Sequence, residues 1–236
     1  MPDIDVVLVE PLYEGNIGFS ARVMKNFGFT NLVLVNPSCS IGDEAVARAS
    51  HARDVLESAR YCSLDEVLEQ SNLIVATTGE VSKSVNTAMR MPYYHPSELR
   101  DMLSPVKGRV SVLFGRENWG LSNEEVKRSD IICTIPTSGE YPILNISHAV
   151  GIICYELARF PRGTYALADR ESMEHLYRHI SDYLDIVEHH EHKRENTMIL
   201  IRRLLSRTMP TTREVSTLHG LLRRTEWHIR GKDGEK

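Results

Sequence analysis

The sequence predicts an α/β protein built on a parallel sheet, followed by a small helical appendage at its C-terminal end. Three observations lead there. Short runs of apolar and β-branched residues alternate with helical patterns through the first two-thirds of the 236 residues. Those runs are continuously apolar, as strands covered on both faces are. After Phe160-Pro161-Arg162-Gly163 the strand pattern stops, and apolar residues recur at helical spacing instead. The sequence therefore divides into an α/β domain over 1–160 and a helical extension over 161–236.

Each element has its own signal. Ile4–Val9 is β-branched and reads as the first strand. A helical pattern covers 16–28 and ends near Gly28. Leu32–Val35 is the second strand, stopped by Asn36-Pro37. Ser63 with Glu66 forms a capping box that opens a short helix. Leu73–Ala76 is the third strand and runs into Thr77-Thr78-Gly79. Val110–Phe114 is the fourth, ending at Gly115, and Ser122 with Glu125 forms a second capping box. Ile131–Ile135 is the fifth, stopped by Pro136. An apolar helix follows over 147–160, with Ser147 as its N-cap. In the extension, Met173, Leu176, Tyr177, Ile180, Tyr183, Leu184 and Val187 make one amphipathic face. Residues 195–207 form a second helix with Leu200/Leu204 and Ile201/Leu205 as i,i+4 pairs. Pro210 breaks it, and Thr211 with Glu214 opens a third helix reaching about Ile229. Fraying is expected from Gly231 onward.

Composition excludes several classes. Hydrophobic residues are 42% and charged residues 25% of the chain, an ordinary globular balance. No apolar stretch approaches the roughly 18 residues of a membrane span. Met1-Pro2-Asp3-Ile4-Asp5 has no basic n-region, so a cytoplasmic protein without a secretory signal is expected. Cys39, Cys62, Cys133 and Cys154 lack paired spacing, which argues against a zinc site and a disulfide framework. His189, His190 and His192 read as a solvated polar face, and no metal is expected. The formal net charge is −4, but residues 193–236 hold 11 basic and 5 acidic residues. That asymmetry fits either a polyanion partner or an arginine-decorated helix surface.

Ligands of open α/β sheets bind at the carboxyl ends of the strands. Here those ends lead to Glu14 through Arg22, to Thr77-Thr78-Gly79, to Gly115-Arg116-Glu117, and to Pro136 through Asn145. The first loop has two glycines but is neither G-x-G-x-x-G nor a P-loop, and Asn36 stands where a ribose-binding carboxylate belongs. A nucleotide-dependent oxidoreductase is thereby disfavoured. Arg22 falls in the first turns of a helix, where a cation opposes the dipole. Either a bound phosphate or a salt bridge to Glu14 or Glu117 would offset that. Arg116 and Glu117 read as candidates for a ligand or for pairing with surface neighbours. The long polar lead-in from Pro136 to Asn145 is of the kind that is usually functional.

Three segments together resemble one family. Asn16-x-Gly18-x-x-Ala21-Arg22, Phe114-Gly115-Arg116-Glu117-x-x-Gly120-Leu121, and Ile135-Pro136 through Glu140-Tyr141 to Leu144-Asn145-x-Ser147-x-Ala149-Val150 are similar to the three motifs of SPOUT-class RNA 2′-O-ribose methyltransferases. Ile201-Arg202-Arg203-Leu204-Leu205-Ser206-Arg207 with Pro210, Glu214, Leu218, Gly220 and Leu221 resembles the C-terminal helices of the TrmJ subfamily, which methylates nucleotide 32 of the tRNA anticodon loop.

The resemblance implies a deep trefoil knot after the fourth strand, a homodimer with each site near the subunit interface, and S-adenosylmethionine bent between the knot loops. Its contacts fall on Thr77, Thr78, Gly79, Gly115, Ile135, Pro142, Ile143 and Leu144. It implies Arg22 as the residue acting on the ribose hydroxyl, with Asn16, Glu117 and Asn145 orienting it, the cofactor or the ribose. A guanidinium is nearly always protonated, so gripping a phosphate and stabilising an alkoxide suits Arg22 better than accepting a proton. Relatives often carry serine where this chain has Ile143, so no hydroxyl role transfers there. Arg202, Arg203, Arg207 and Arg213 are the expected contacts to tRNA phosphates. The alternative activity is 2′-O-methylation at another tRNA or rRNA site.

Overall fold

A computed structural model describes residues 2–79, 90–138, 140–158 and 167–233. The order is β1 (Asp3–Val9), α1 (Glu14–Asn26), β2 (Asn31–Val35), α2 (Asp43–Ala49), α3 (Arg53–Glu57), β3 (Arg60–Cys62), α4 (Leu64–Gln70) and β4 (Leu73–Thr78). Then come β5 (Tyr93–Tyr94), α5 (Pro96–Leu103), β6 (Arg109–Phe114), α6 (Asn123–Lys127), β7 (Ile131–Thr134) and α7 (Ile146–Leu157). Three long helices follow: α8 (Arg170–Ile186), α9 (Glu191–Thr208) and α10 (Thr212–Asp233). The strands form one sheet in the order β3-β2-β1-β6-β4-β7-β5. Every pairing in it is parallel.

Alternate strand residues feed two separate cores, which explains the continuous apolar runs. Ile4, Val6 and Leu8 face one core with Leu32, Val110, Val112 and the helices α1 and α7. Val7 and Val9 face the other with Val33, Ile74, Leu113 and α4 and α6. The capping boxes at Ser63/Glu66 and Ser122/Glu125 both form. α1 and α2 lie so close that a Cβ on Gly18 would stand 2.2 Å from the Ala45 carbonyl oxygen. Only glycine permits that approach.

The structure departs from the sequence reading in four places. β3 and β5 are edge strands of three and two residues, too short to leave an apolar run. α1 starts at Glu14, so Arg22 lies two turns in and the dipole bears little on it. The N-cap of α7 is Asn145, not Ser147; the Asn145 carboxamide oxygen accepts from the Ser147 N–H at 2.9 Å. On α9, Leu200 and Leu204 are half exposed, while Ile199, Arg203 and Ser206 are the buried residues. The predicted boundary at Phe160-Pro161-Arg162-Gly163 lies outside the described residues. α10 continues to Asp233, past the fraying expected from Gly231, and 234–236 also lie outside.

The C-terminal helices are fastened to the sheet through one buried carboxylate. Asp130, just before β7, accepts from the Ile74 N–H of β4 at 2.9 Å and from Arg170 of α8 at 2.7 Å. Arg202 of α9 reaches it at 3.3 Å and grips Glu174 at 2.8 and 2.9 Å while stacking on Tyr177. Breaking a buried ion pair from one side leaves a desolvated charge, at about 3–5 kcal/mol. Asp130→Ala is expected to lower stability by about 3 kcal/mol in urea unfolding. A loss below about 1 kcal/mol would mean that the latch behaves as a surface pair.

Candidate active site

The carboxyl ends of β4, β6 and β7 open into a cavity of about 400 Å³, within the range of small-molecule sites. Its walls come from 77–79, from 114–121, from Ile135 with residues between Pro142 and Ala149, and from Arg90. Thr77, Thr78, Gly79, Gly115, Ile135, Pro142, Ile143 and Leu144 all line it. Two of the lining glycines stand in close approach to neighbouring residues. A Cβ on Gly115 would lie 2.1 Å from the Gly120 carbonyl carbon. One on Gly79 would lie 2.8 Å from Ile143 Cδ1. Thr77 Oγ1 donates to the Leu113 carbonyl at 2.8 Å, which tethers the end of β4 to β6.

A polar chain joins two of these segments to the first loop and α1. Asn16 Nδ2 donates to Glu117 Oε1 at 2.8 Å, and Asn16 Oδ1 accepts from Asn145 Nδ2 at 3.0 Å. The second Glu117 oxygen accepts from the Leu12 N–H at 3.0 Å. The Asn145 oxygen also accepts from Ser147 Oγ at 2.7 Å. Asn16, Glu117 and Asn145 therefore hold α1, the β6 loop and the start of α7 in one arrangement. Residues 101 and 129 positions apart are brought into contact.

Arg22 is not part of that chain. It lies on the exposed side of α1, six residues and about 9 Å of helix rise beyond Asn16. It makes no hydrogen bond or ion pair with any described residue. The salt-bridge alternative is therefore overturned: Glu14 accepts from the Gly42 and Ala45 N–H groups, and Glu117 is engaged as above. An exposed guanidinium without a partner among the described residues is available to an anion.

Arg116 is buried, contrary to a surface pairing. It binds both oxygens of Glu125 at 2.9 Å and Glu10 at 2.8 Å, with Trp119 stacked on its face. Burial alone would lower its pKa, but the two carboxylates raise it above the ordinary arginine value. Arg116 is thus a permanent cation that fixes the β6 loop. Cys133 and Cys154 are pushed up to about 12 by burial and are no nucleophiles. Among the described residues no group of His, Cys, Asp or Glu is arranged to hold a metal. The sequence reading missed Arg90, which lines the cavity and donates to Thr78 Oγ1 at 2.7 Å. Nothing in its local sequence marks it.

The four arginines of the extension separate into two pairs. Arg202 is held by Glu174 and Asp130. Arg203 is buried, donates to the Met91 carbonyl, and is pushed down to about 10 by burial. Both correct the expectation of phosphate contacts, since neither offers its charge to solvent. Arg207 and Arg213 are exposed, as are Arg223, Arg224 and Arg230 on α10.

Comparison with known proteins follows this division. Residues 3–155 match the model of the SpoU rRNA Methylase family, and residues 171–234 match that of the tRNA methyltransferase TrmJ C-terminal domain. A Methanocaldococcus jannaschii protein named tRNA (cytidine-2′-O-)-methyltransferase TrmJ is 40% identical, with 91% of this chain and 96% of that protein aligned. The chain belongs to the TrmJ family of tRNA 2′-O-methyltransferases. The Escherichia coli K12 TrmJ, named a tRNA (cytidine/uridine-2′-O-)-methyltransferase, is 33% identical across the full length of both. The crystal structure of TrmJ from Z. mobilis superposes with a TM-score of 0.73 at 28% identity, covering 96% of this chain and 99% of that one. The SpoU methyltransferase AviRb from Streptomyces viridochromogenes, solved with AdoMet, shares the fold at a TM-score of 0.53 and 22% identity, over 67% of this chain and 61% of that one. The fold is thus the α/β SPOUT fold of TrmJ enzymes with C-terminal helices.

Proposed function

We infer that this TrmJ enzyme transfers a methyl group from S-adenosylmethionine to the ribose 2′-hydroxyl of nucleotide 32 in the tRNA anticodon loop. The observation that carries the reading is the rim where Asn16, Glu117 and Asn145 meet beside the cavity, with Arg22 exposed and uncommitted six residues farther along α1. The cavity fits the cofactor: Thr77, Thr78 and the glycine-lined backbone offer polar edges to a nucleoside, and Ile135, Ile143 and Leu144 offer apolar contact. The named TrmJ relatives act on tRNA cytidine or on cytidine and uridine.

S-adenosylmethionine, when bound, supplies an electrophilic sulfonium methyl. This chain supplies position and charge. In-line attack needs the hydroxyl held close and aligned, which accounts for much of the rate. Arg22 grips the phosphate beside the target ribose and stabilises the alkoxide as it forms. Asn16, Glu117 and Asn145 fix the rim against which the ribose is set. The looping of 115–121 and 135–146 around one cavity is consistent with the knotted path implied by the motifs. Exposed Phe19 on α1 with Ile152 and Tyr155 on α7 supports pairing of two copies beside the site. We take 1–160 as the catalytic domain and 161–236 as the extension that engages tRNA in the cytoplasm. Arg207, Arg213, Arg223, Arg224 and Arg230 form its phosphate-binding face, where each neutralised phosphate steepens the salt dependence.

The test is methyl transfer from labelled S-adenosylmethionine to unmodified bulk tRNA with nucleoside mapping. Label on the 2′-oxygen of nucleotide 32 is the expected outcome. Label on another ribose would retain the chemistry and discard the position.

A further inference from the structure

Among the described residues the cavity wall holds two charged groups without a charged partner, the Glu117 carboxylate, met by the Leu12 N–H and Asn16, and the Arg90 guanidinium. Two guanidinium groups line it. Arg116 is neutralised by Glu10 and Glu125. Arg90 has only neutral acceptors among the described residues. Its Nη1 donates to Thr78 Oγ1 at 2.7 Å, while its Nη2 reaches the Leu121 carbonyl and Asn123 Oδ1 at 3.5 Å each. The last two are at the outer limit of a hydrogen bond. A half-buried guanidinium with such partners retains donors for a better one.

Its placement is built from two sides. Thr78 anchors it to the end of β4. The next residue, Met91, gives its carbonyl to Arg203 of α9, a buried side chain of the C-terminal helices. A half-buried cation fixed at a cavity wall is partly desolvated, at a cost that an arriving anion offsets.

We propose that Arg90 is a cofactor-specificity residue that binds the α-carboxylate of the methionine part of S-adenosylmethionine. The proposal rests on reading the cavity as the cofactor site. The chemistry selects this end of the ligand. A guanidinium repels the sulfonium and the α-ammonium, and gains little from adenine or ribose edges. The carboxylate is the one anionic group, and it matches the fork of donors that Arg90 presents.

The test is calorimetric binding to the full chain, without tRNA, of S-adenosylhomocysteine and of its decarboxylated analogue, which keeps the amine. Arg90→Gln is expected to weaken S-adenosylhomocysteine by about tenfold to a hundredfold, the range of a charge-assisted hydrogen bond. Its affinity for the decarboxylated analogue stays at the wild-type value. Arg90→Lys recovers part of the loss for S-adenosylhomocysteine, since it restores charge without the fork. Equal weakening of both ligands would overturn the proposal, because a merely structural role acts on both. So would unchanged binding of S-adenosylhomocysteine; a loss of tRNA affinity in a separate titration of that variant would then move Arg90 to an RNA phosphate. If neither ligand bound the wild-type protein, the cofactor reading of the cavity would fall with it.

Discussion

Arg22→Ala is expected to slow methyl transfer by about a hundredfold to a thousandfold, the loss that follows removal of one preorganised donor to a developing oxyanion. The side chain is exposed and makes no contact with any described residue, so unfolding free energy should change by less than about 0.5 kcal/mol. Cofactor affinity should be unchanged, because Arg22 does not line the cavity. Arg22→Lys should restore little, since an ammonium lacks the planar fork that grips a phosphate. Single-turnover rates on unmodified tRNA, with cofactor binding measured separately, decide the matter. Parallel loss of rate and cofactor binding would place Arg22 in the scaffold rather than at the reacting ribose.

Gly115→Ala should be among the most damaging added methyl groups at the described glycines. The added carbon would stand 2.1 Å from the Gly120 carbonyl carbon and 2.2 Å from the Leu121 nitrogen, backbone atoms that cannot swing aside. The β6 loop must then open, and with it the cavity wall and the rim contact of Glu117. Overpacking of this kind costs about 3 kcal/mol or more. A fall in the urea midpoint together with loss of S-adenosylhomocysteine binding is expected. Gly120→Ala is the control. Its Cβ would meet nothing within 4 Å, and only its φ of +72° is unfavourable, at about 1–2 kcal/mol. If Gly115→Ala bound the ligand normally, the loop would be more pliant than its packing implies.

The sheet was legible because its strands are continuous apolar runs that need cover on both faces. The short edges β3 and β5 were not, because two or three residues give no period. The site was legible only as motifs. Asn16, Glu117 and Asn145 each sit in a loop whose composition says little, and nothing local announces that the three will touch. Arg202 and Arg203 show the reverse failure. In sequence they belong to a basic helix; in space they are spent on Asp130, Glu174 and the Met91 carbonyl. The signal was present in the register of α9, where Ile199, Arg203 and Ser206 share one face. Of the apolar i,i+4 pairs on the neighbouring rows, Leu200/Leu204 is half exposed, while Leu205 packs against the core of the C-terminal helices.

The same fastening changes what a deletion experiment measures. A chain cut before α8 loses Arg170, Arg202 and Ser206 from Asp130, and loses Arg203 from the residue that follows Arg90. Such a fragment would enter an assay with an altered small-molecule site as well as without its exposed arginines. Poor methylation by it would confound substrate capture with cofactor loading. Charge reversal at Arg223 and Arg224, which are exposed and remote from the Asp130 latch, separates the two. Their replacement by glutamate should raise the KM for tRNA and flatten its salt dependence, since fewer phosphates are neutralised, while the KM for S-adenosylmethionine stays constant. The extension is then both a handle for the nucleic acid and a brace for the cavity, and only side-chain edits can uncouple those duties.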